Sequence, residues 1–97
     1  MPERIPRKRA IALRYEVDKD AAPVVIAKGQ GLLAERILEL ARANGIHIQE
    51  DPDLTALLAQ VEVNAAIPAE LYAAVAQILA FVYRLNNRLD EVKRSTG

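Results

Sequence analysis

The alternation of apolar and polar residues changes period several times along this chain. Its first regular stretch is AIALRY (10–15), whose β-branched and aromatic residues predict a strand. EVDKDAA follows and predicts a turn, with Asp18 and Asp20 placed to bond nearby backbone amides. Pro23 suits the opening of a second strand, VVIAK, whose unbroken apolar run predicts burial on both faces. The period then becomes helical. Leu33, Ile37, Leu40 and Ala41, widened by Leu32, predict a helix over about 30–44, and Gly45 after Asn44 is a left-handed stop. IHIQ (46–49) predicts a short third strand, after a connection long enough for a right-handed parallel crossover.

Asp51 and Pro52 form a helix start, an acid at the N-cap and proline at the first helical position. Leu54, Leu57, Leu58 and Val61 then define one apolar face. Pro68 opens another helix, with Leu71, Val75, Ile78, Leu79, Val82 and Leu85 as its stripe. Beyond Leu85 the sequence turns polar, and Arg88–Glu91 and Asp90–Arg94 pairs can extend the helix. The predicted class is α/β: a small mixed sheet of three or more strands packed with about three helices, in the order β-β-α-β-α-α. Residues 1–8 read as a flexible basic arm, 9–86 as the domain, and 87–97 as a polar tail that can prolong the last helix.

Composition narrows the chemistry. With 97 residues the chain is sized for one modest core, and Phe81 and three tyrosines are its only aromatics, so that core is aliphatic. Formal net charge is zero, which gives no global field for nucleic acid or anionic lipid. The distribution is uneven: Arg4, Arg7, Lys8, Arg9 and Arg14 crowd the first residues, and EDPD (50–53) is acidic. Absence of cysteine excludes disulfides and thiolate chemistry. No apolar run reaches bilayer length, and a cytoplasmic location is expected.

The stretch AKGQGLLAE has the strand–glycine–helix order of a phosphate-binding loop. A dinucleotide fingerprint requires a third glycine where Leu33 or Ala34 stands, although Glu50 lies at a suitable distance for its acid. The Walker pattern fails, since Lys28 precedes the glycines and no GK[ST] follows. Gly29 and Gly31 are read primarily as a structural turn, with a small nucleotide- or anion-binding domain as the alternative. His47 has no acid or cysteine at ligand spacing, Thr55 sits where first-turn capping is usual, and Asp51 is explained as a cap. No nucleophile–base pair can be assembled. Neither metal nor cofactor is expected. A nucleic-acid role through Arg7, Lys8 and Arg9 is a further alternative, but the run lacks interleaved aromatics, and no nucleic acid is expected.

The succession AIALRYEVDKDAAPVVIAKGQGLLAERILELARANGI, then VEVNAAIPAELYAAVAQILAFVYRL, resembles the cytoplasmic domain of the type III export switch proteins, the flagellar FlhB family and its injectisome relatives. APVVIAKGQG (22–31) and IPAELYAAVAQILAFVY (67–83) carry most of the likeness. The resemblance implies a domain beneath an export gate that helps change the class of exported substrate. It also implies that AKGQG is a turn rather than a nucleotide site.

Members of that family cleave themselves between Asn and Pro of an Asn-Pro-Thr-His motif. The asparagine side-chain nitrogen attacks its own carbonyl carbon, closing a succinimide and releasing the proline-led fragment. Aligned on Pro6, this chain has Ile5 in place of the nucleophile and Arg7 and Lys8 in place of Thr and His. Self-cleavage is therefore expected to be absent. Only five residues precede Pro6, so the chain resembles a stand-alone version of the released fragment. The resemblance further implies contact with export substrates or partners at Ala22, Pro23, Ala76 and Leu79. Expected partners are export-apparatus proteins: the full-length switch paralogue or its membrane half, and the export gate. The membrane is expected to be approached only through them.

Overall fold

The fold is taken from a computed structural model that describes residues 8–96, with side chains described for 8–86. Strand β1 (Arg9–Arg14) and strand β2 (Val24–Gln30) form an antiparallel hairpin. Helix α1 (Leu32–Ala43) and the short α2 (Pro52–Leu58) follow. A single 3₁₀ turn, Ala69–Leu71, leads into α3 (Tyr72–Thr96). The α/β class and its three helices are as the sequence predicts.

The hairpin register runs from Arg9 opposite Gln30 to Arg14 opposite Val24 and shifts between Ala12 and Leu13. The shift skips Ile26, because Ala12 faces Ala27 and Leu13 faces Val25. A one-residue slip changes which side chains reach the core. Val25 is completely buried, whereas Ile26 is 42 % exposed, so the run VVIAK is not covered on both faces as its apolarity predicts. Beside the hairpin, β2 is held at its start by residues 64–67: the Val25 N–H donates to Ala65 O (3.0 Å) and the Ile67 N–H to Pro23 O (2.9 Å). Asn64, with φ of 74°, turns this segment.

The third strand is a correction. Residues 46–49 form no ladder, and the described sheet has two strands. A strand exists only where an edge accepts its hydrogen bonds, and alternation over four residues cannot supply one. The chain leaves α1 through Gly45 at φ +66°, with the Ile46 N–H returning to Ala41 O at 2.9 Å, so the expected left-handed stop is present. Ile46 is then exposed, and His47 packs its ring on Phe81 with centroids 5.5 Å apart.

Two helical layers enclose the hairpin. On one face α1 lays down Ala34, which is fully buried, with Ile37, Leu38 and Ala41 half-buried. This inward stripe is rotated from the one the spacing suggests: Leu33 and Leu40 are each 56 % exposed and Leu32 is 84 % exposed. The other face carries the main core of Val25, Leu54, Leu58, Ile67 and Val75, with Ile11, Leu13, Val61, Leu71, Ile78 and Leu79 packed around it. α2 begins as its sequence dictates. Asp51 accepts from the Leu54 N–H at 3.0 Å, Pro52 stands at the first position, and Thr55 Oγ1 donates to Asp51 O. Leu54 and Leu58 enter the core, while Leu57 stays half exposed and Val61 lies beyond the helix.

Candidate functional site

The β1–β2 connection is built around Asp20. Its carboxylate accepts from Arg14 Nε at 3.1 Å and Arg14 Nη2 at 3.0 Å, and from the Glu16 N–H at 2.9 Å. The forked guanidinium fits a carboxylate's two oxygens, which fixes direction as well as distance. The Arg14 hydrogen bonds hold the Asp20 carboxyl below the usual carboxylate range, assisted by the Glu16 N–H; Asp20 in turn raises Arg14. Only 6 % of the Asp20 side chain is exposed, but the pair covers it locally at the surface, outside the core. Lys19 Nζ adds a contact to Glu16 at 3.4 Å.

This closed turn delivers Ala21, Ala22 and Pro23 against the first turns of α3. There Tyr72, Ala76 and Leu79, spaced i, i+4 and i+7, form one face, while Leu71, Val75 and Ile78 point into the core. Between the two segments, with Tyr15 at one side, lies a groove of about 330 Å³. All four contact residues suggested by the sequence, Ala22, Pro23, Ala76 and Leu79, line this groove. Tyr15, Ala21 and Tyr72 complete it and were not singled out by sequence; the helical spacing of Tyr72 with Ala76 was the available signal. Ala22 forms a buried floor, Ala76 is exposed at the rim, and Tyr15 and Tyr72 are each nearly half exposed. Among the described residues, no charged side chain lines the groove. Its chemistry is that of a receptor for an apolar side chain, with two phenol groups able to bond a backbone. Among the described residues, its lining holds no carboxylate, histidine, serine, threonine or lysine.

The remaining candidates lie elsewhere. Gly29 is inside β2 and Gly31 caps α1 with φ 58° and ψ −126°, a backbone state that glycine supplies readily. A Cβ on Gly29 would fall 2.5 Å from Leu33 Cγ, so close packing accounts for that glycine without a ligand. A hollow of about 250 Å³ lies nearby, lined by Arg9, Ile11, Lys28, Gly29, Gln30 and Ala59. Lys28 Nζ is committed to Ala59 O at 3.1 Å and Val61 O at 2.9 Å, where it closes the end of α2. Glu50 is exposed in the irregular segment after α1. Lys8 is exposed, and its carbonyl accepts from the Gly31 N–H. Ile5, Pro6 and Arg7 lie outside the described residues. His47 Nε2 pairs with Gln49 Oε1 at 3.2 Å, and no cluster of three or more metal-ligating side chains occurs among the described residues.

A hairpin layered between α1 and the α2–α3 pair, with a groove at the hairpin turn, defines a small α/β domain. The chain belongs to the FlhB HrpN YscU SpaS family, whose sequence model matches residues 5–82. It is 41 % identical to Bacillus subtilis YlqH over 96 % of its own length and 100 % of that protein. It is 44 % identical to Escherichia coli flagellar biosynthetic protein FlhB over 82 % of this chain, but that match spans only 21 % of FlhB. Among solved structures, the cytoplasmic domain of Shewanella putrefaciens FlhB superposes with a TM-score of 0.79 at 39 % identity, covering 86 % of this chain and 65 % of that one. The PscU C-terminal domain gives 0.71 at 33 % identity, with coverage of 76 % and 95 %. The resemblance read from the sequence is thus the family shown by comparison, and it ties the chain to flagellar and type III protein export. Among the described residues no helix is long and apolar enough to cross a membrane.

Proposed function

We propose that this chain is a non-catalytic, non-cleaving module of flagellar or type III export, standing in for the fragment that a full-length switch protein releases. Its groove receives an apolar side chain of an export substrate or of an apparatus partner. The observation that carries this reading is the convergence of Ala22 and Pro23 with Ala76 and Leu79 on one uncharged groove. These residues lie more than fifty positions apart in sequence. Ile5 supplies no heteroatom for attack on its own carbonyl, which supports a role without self-cleavage.

The sheet supports a dock on a larger partner. Among the described residues β1 pairs only with β2, leaving its other edge with backbone donors and acceptors for a strand from outside. The membrane half of a full-length paralogue is the expected donor of that strand.

The test is complementation. The resident full-length switch protein is truncated after its cleavage-site Asn, this chain is supplied in trans, and secreted hook and filament subunits are quantified. Restored secretion is the expected result. A folded, abundant chain that restores none overturns the substitution.

A further inference from the structure

The outer edge of β2, the side away from β1, is paired only at its start. There the Val25 N–H and C=O meet Ala65 O and the Asn64 N–H, and Val24 bridges to Ala66. Further along, the hairpin pattern fixes where backbone groups point. The Gly31 N–H donates to Lys8 O, so these residues face each other as a hydrogen-bonded pair. Antiparallel pairs alternate between bonded and non-bonded. Ala10–Gly29 and Ala12–Ala27 are therefore bonded, and Arg9–Gln30 and Ile11–Lys28 are not. The N–H and C=O of Lys28 and Gln30 turn away from β1, and among the described residues no backbone group pairs with them. An edge of this kind is a template for an added strand.

The two faces beside this edge differ in chemistry. On the α1 face, Leu33 packs directly over Gly29 and is still 56 % exposed. Leu40, two helical turns on, is exposed on the same flank, and Ile26, which the bulge releases from pairing, is exposed too. On the other face, Lys28 and Gln30 line the hollow of about 250 Å³ together with Arg9, Ile11 and Ala59. Two of the residues around that hollow are basic and none is acidic. Lys28 Nζ commits two of its three protons to Ala59 O and Val61 O and has one left. Side chains of an added strand alternate between the faces. Those opposite Lys28 and Gln30 would turn to the basic hollow, where a carboxylate fits, and those opposite Ala27 and Gly29 to the leucines of α1. A second copy fits poorly, because antiparallel self-pairing about position 28 sets Lys28 against Lys28. We propose that the outer edge of β2, from Ile26 to Gln30, takes up an extended segment of another polypeptide in which Glu or Asp alternates with aliphatic residues, paired antiparallel to β2. This edge is distinct from the open edge of β1 and from the groove at Ala22 and Leu79, and the inference is independent of the export role.

The test uses the full chain and two labelled nine-residue peptides, one alternating Val with Glu and the other Val with Lys. Fluorescence anisotropy is expected to show saturable binding of the Glu peptide and at least about tenfold weaker binding of the Lys peptide, since cross-strand charges change from opposite to like. N-methylation of the Glu nitrogens removes the donors that face β2 and should abolish binding, whereas N-methylation of the Val nitrogens, which face away, should preserve it. Arg9→Glu should weaken the Glu peptide and favour the Lys peptide. Leu33→Lys should weaken both, and thermal melts check that each variant folds, as both side chains are exposed. Equal binding of the two peptides, binding of neither, indifference to methylation of the Glu nitrogens, or a dimer in sedimentation that Leu33→Lys dissolves overturns the inference.

Discussion

Arg14 and Asp20 face each other across the β1–β2 connection through two hydrogen bonds of 3.1 and 3.0 Å, and so fix the turn that carries Ala22 and Pro23 to the groove. The folded state holds Asp20 below its ordinary titration range. A carboxylate depressed by folding contributes stability above its unfolded value, near 4, and loses that contribution as pH falls through its folded value. Thermal melts from neutral pH into acid should therefore show a steeper acid loss for the parent chain than for Asp20→Asn, with the variant less stable at neutral pH. Parallel profiles would contradict this account of the turn.

Lys28 closes the end of α2 by donating to the carbonyls of Ala59 and Val61. Lys28→Met retains much of the aliphatic stem and removes both donors. Charged hydrogen bonds to partly buried carbonyls are worth enough that a loss of about 1–2 kcal/mol is expected in urea denaturation. An unchanged midpoint would mean that water replaces the ammonium without cost.

Gly31 has open space where a side chain would go, so its constraint is the backbone alone, at φ +58°. Gly31→Ala should cost about 1–3 kcal/mol through strain, without a steric clash. Gly29→Ala should destabilise by the other route, against Leu33. Equilibrium unfolding of the two variants measures both, and a neutral Gly31→Ala would refute the strained-turn reading.

Ala76 lines the groove from an exposed helical position. Ala76→Glu should leave stability within about 0.5 kcal/mol, as surface substitutions do. It should nevertheless abolish the restoration of secretion, because it sets a charge in a receptor for apolar side chains. Full restoration by a stably folded Ala76→Glu would remove the groove from the mechanism.

Under the proposed function, Ile5 takes the place of the asparagine that self-cleavage needs. Intact-mass measurement after prolonged incubation at neutral and mildly alkaline pH should show one uncut chain. A species beginning at Pro6 would contradict the assignment.

Signals confined to a few neighbouring residues were legible in the sequence. Asp51 and Pro52 start α2, Gly45 ends α1, and Gly31 turns the chain into α1, because each is decided by a local dihedral or a hydrogen bond to an adjacent turn. The order of strands and helices followed from the change of period, apart from the strand at 46–49. At the candidate site, Ala22, Pro23, Ala76 and Leu79 were reached through family resemblance, since four small or apolar residues carry no chemistry that marks them out alone.

Tertiary structure decided what depends on a distant surface. Whether IHIQ becomes a strand depends on an available sheet edge, and none takes it up among the described residues. Both apolar stripes of α1 have helical spacing; the contact with the hairpin selects Ala34, Ile37, Leu38 and Ala41 and leaves Leu33 and Leu40 half exposed. The carbonyls that Lys28 caps lie more than thirty residues away. The groove itself exists only once the β1–β2 turn meets α3, placing Tyr15 and Tyr72 around the other residues. Periodicity and capping are properties of adjacent residues, so the sequence alone determined the three helices, their caps and the two strands of the hairpin, but not the fate of residues 46–49. Burial, pairing and concavity are properties of two surfaces in contact, and only the packed chain could decide them.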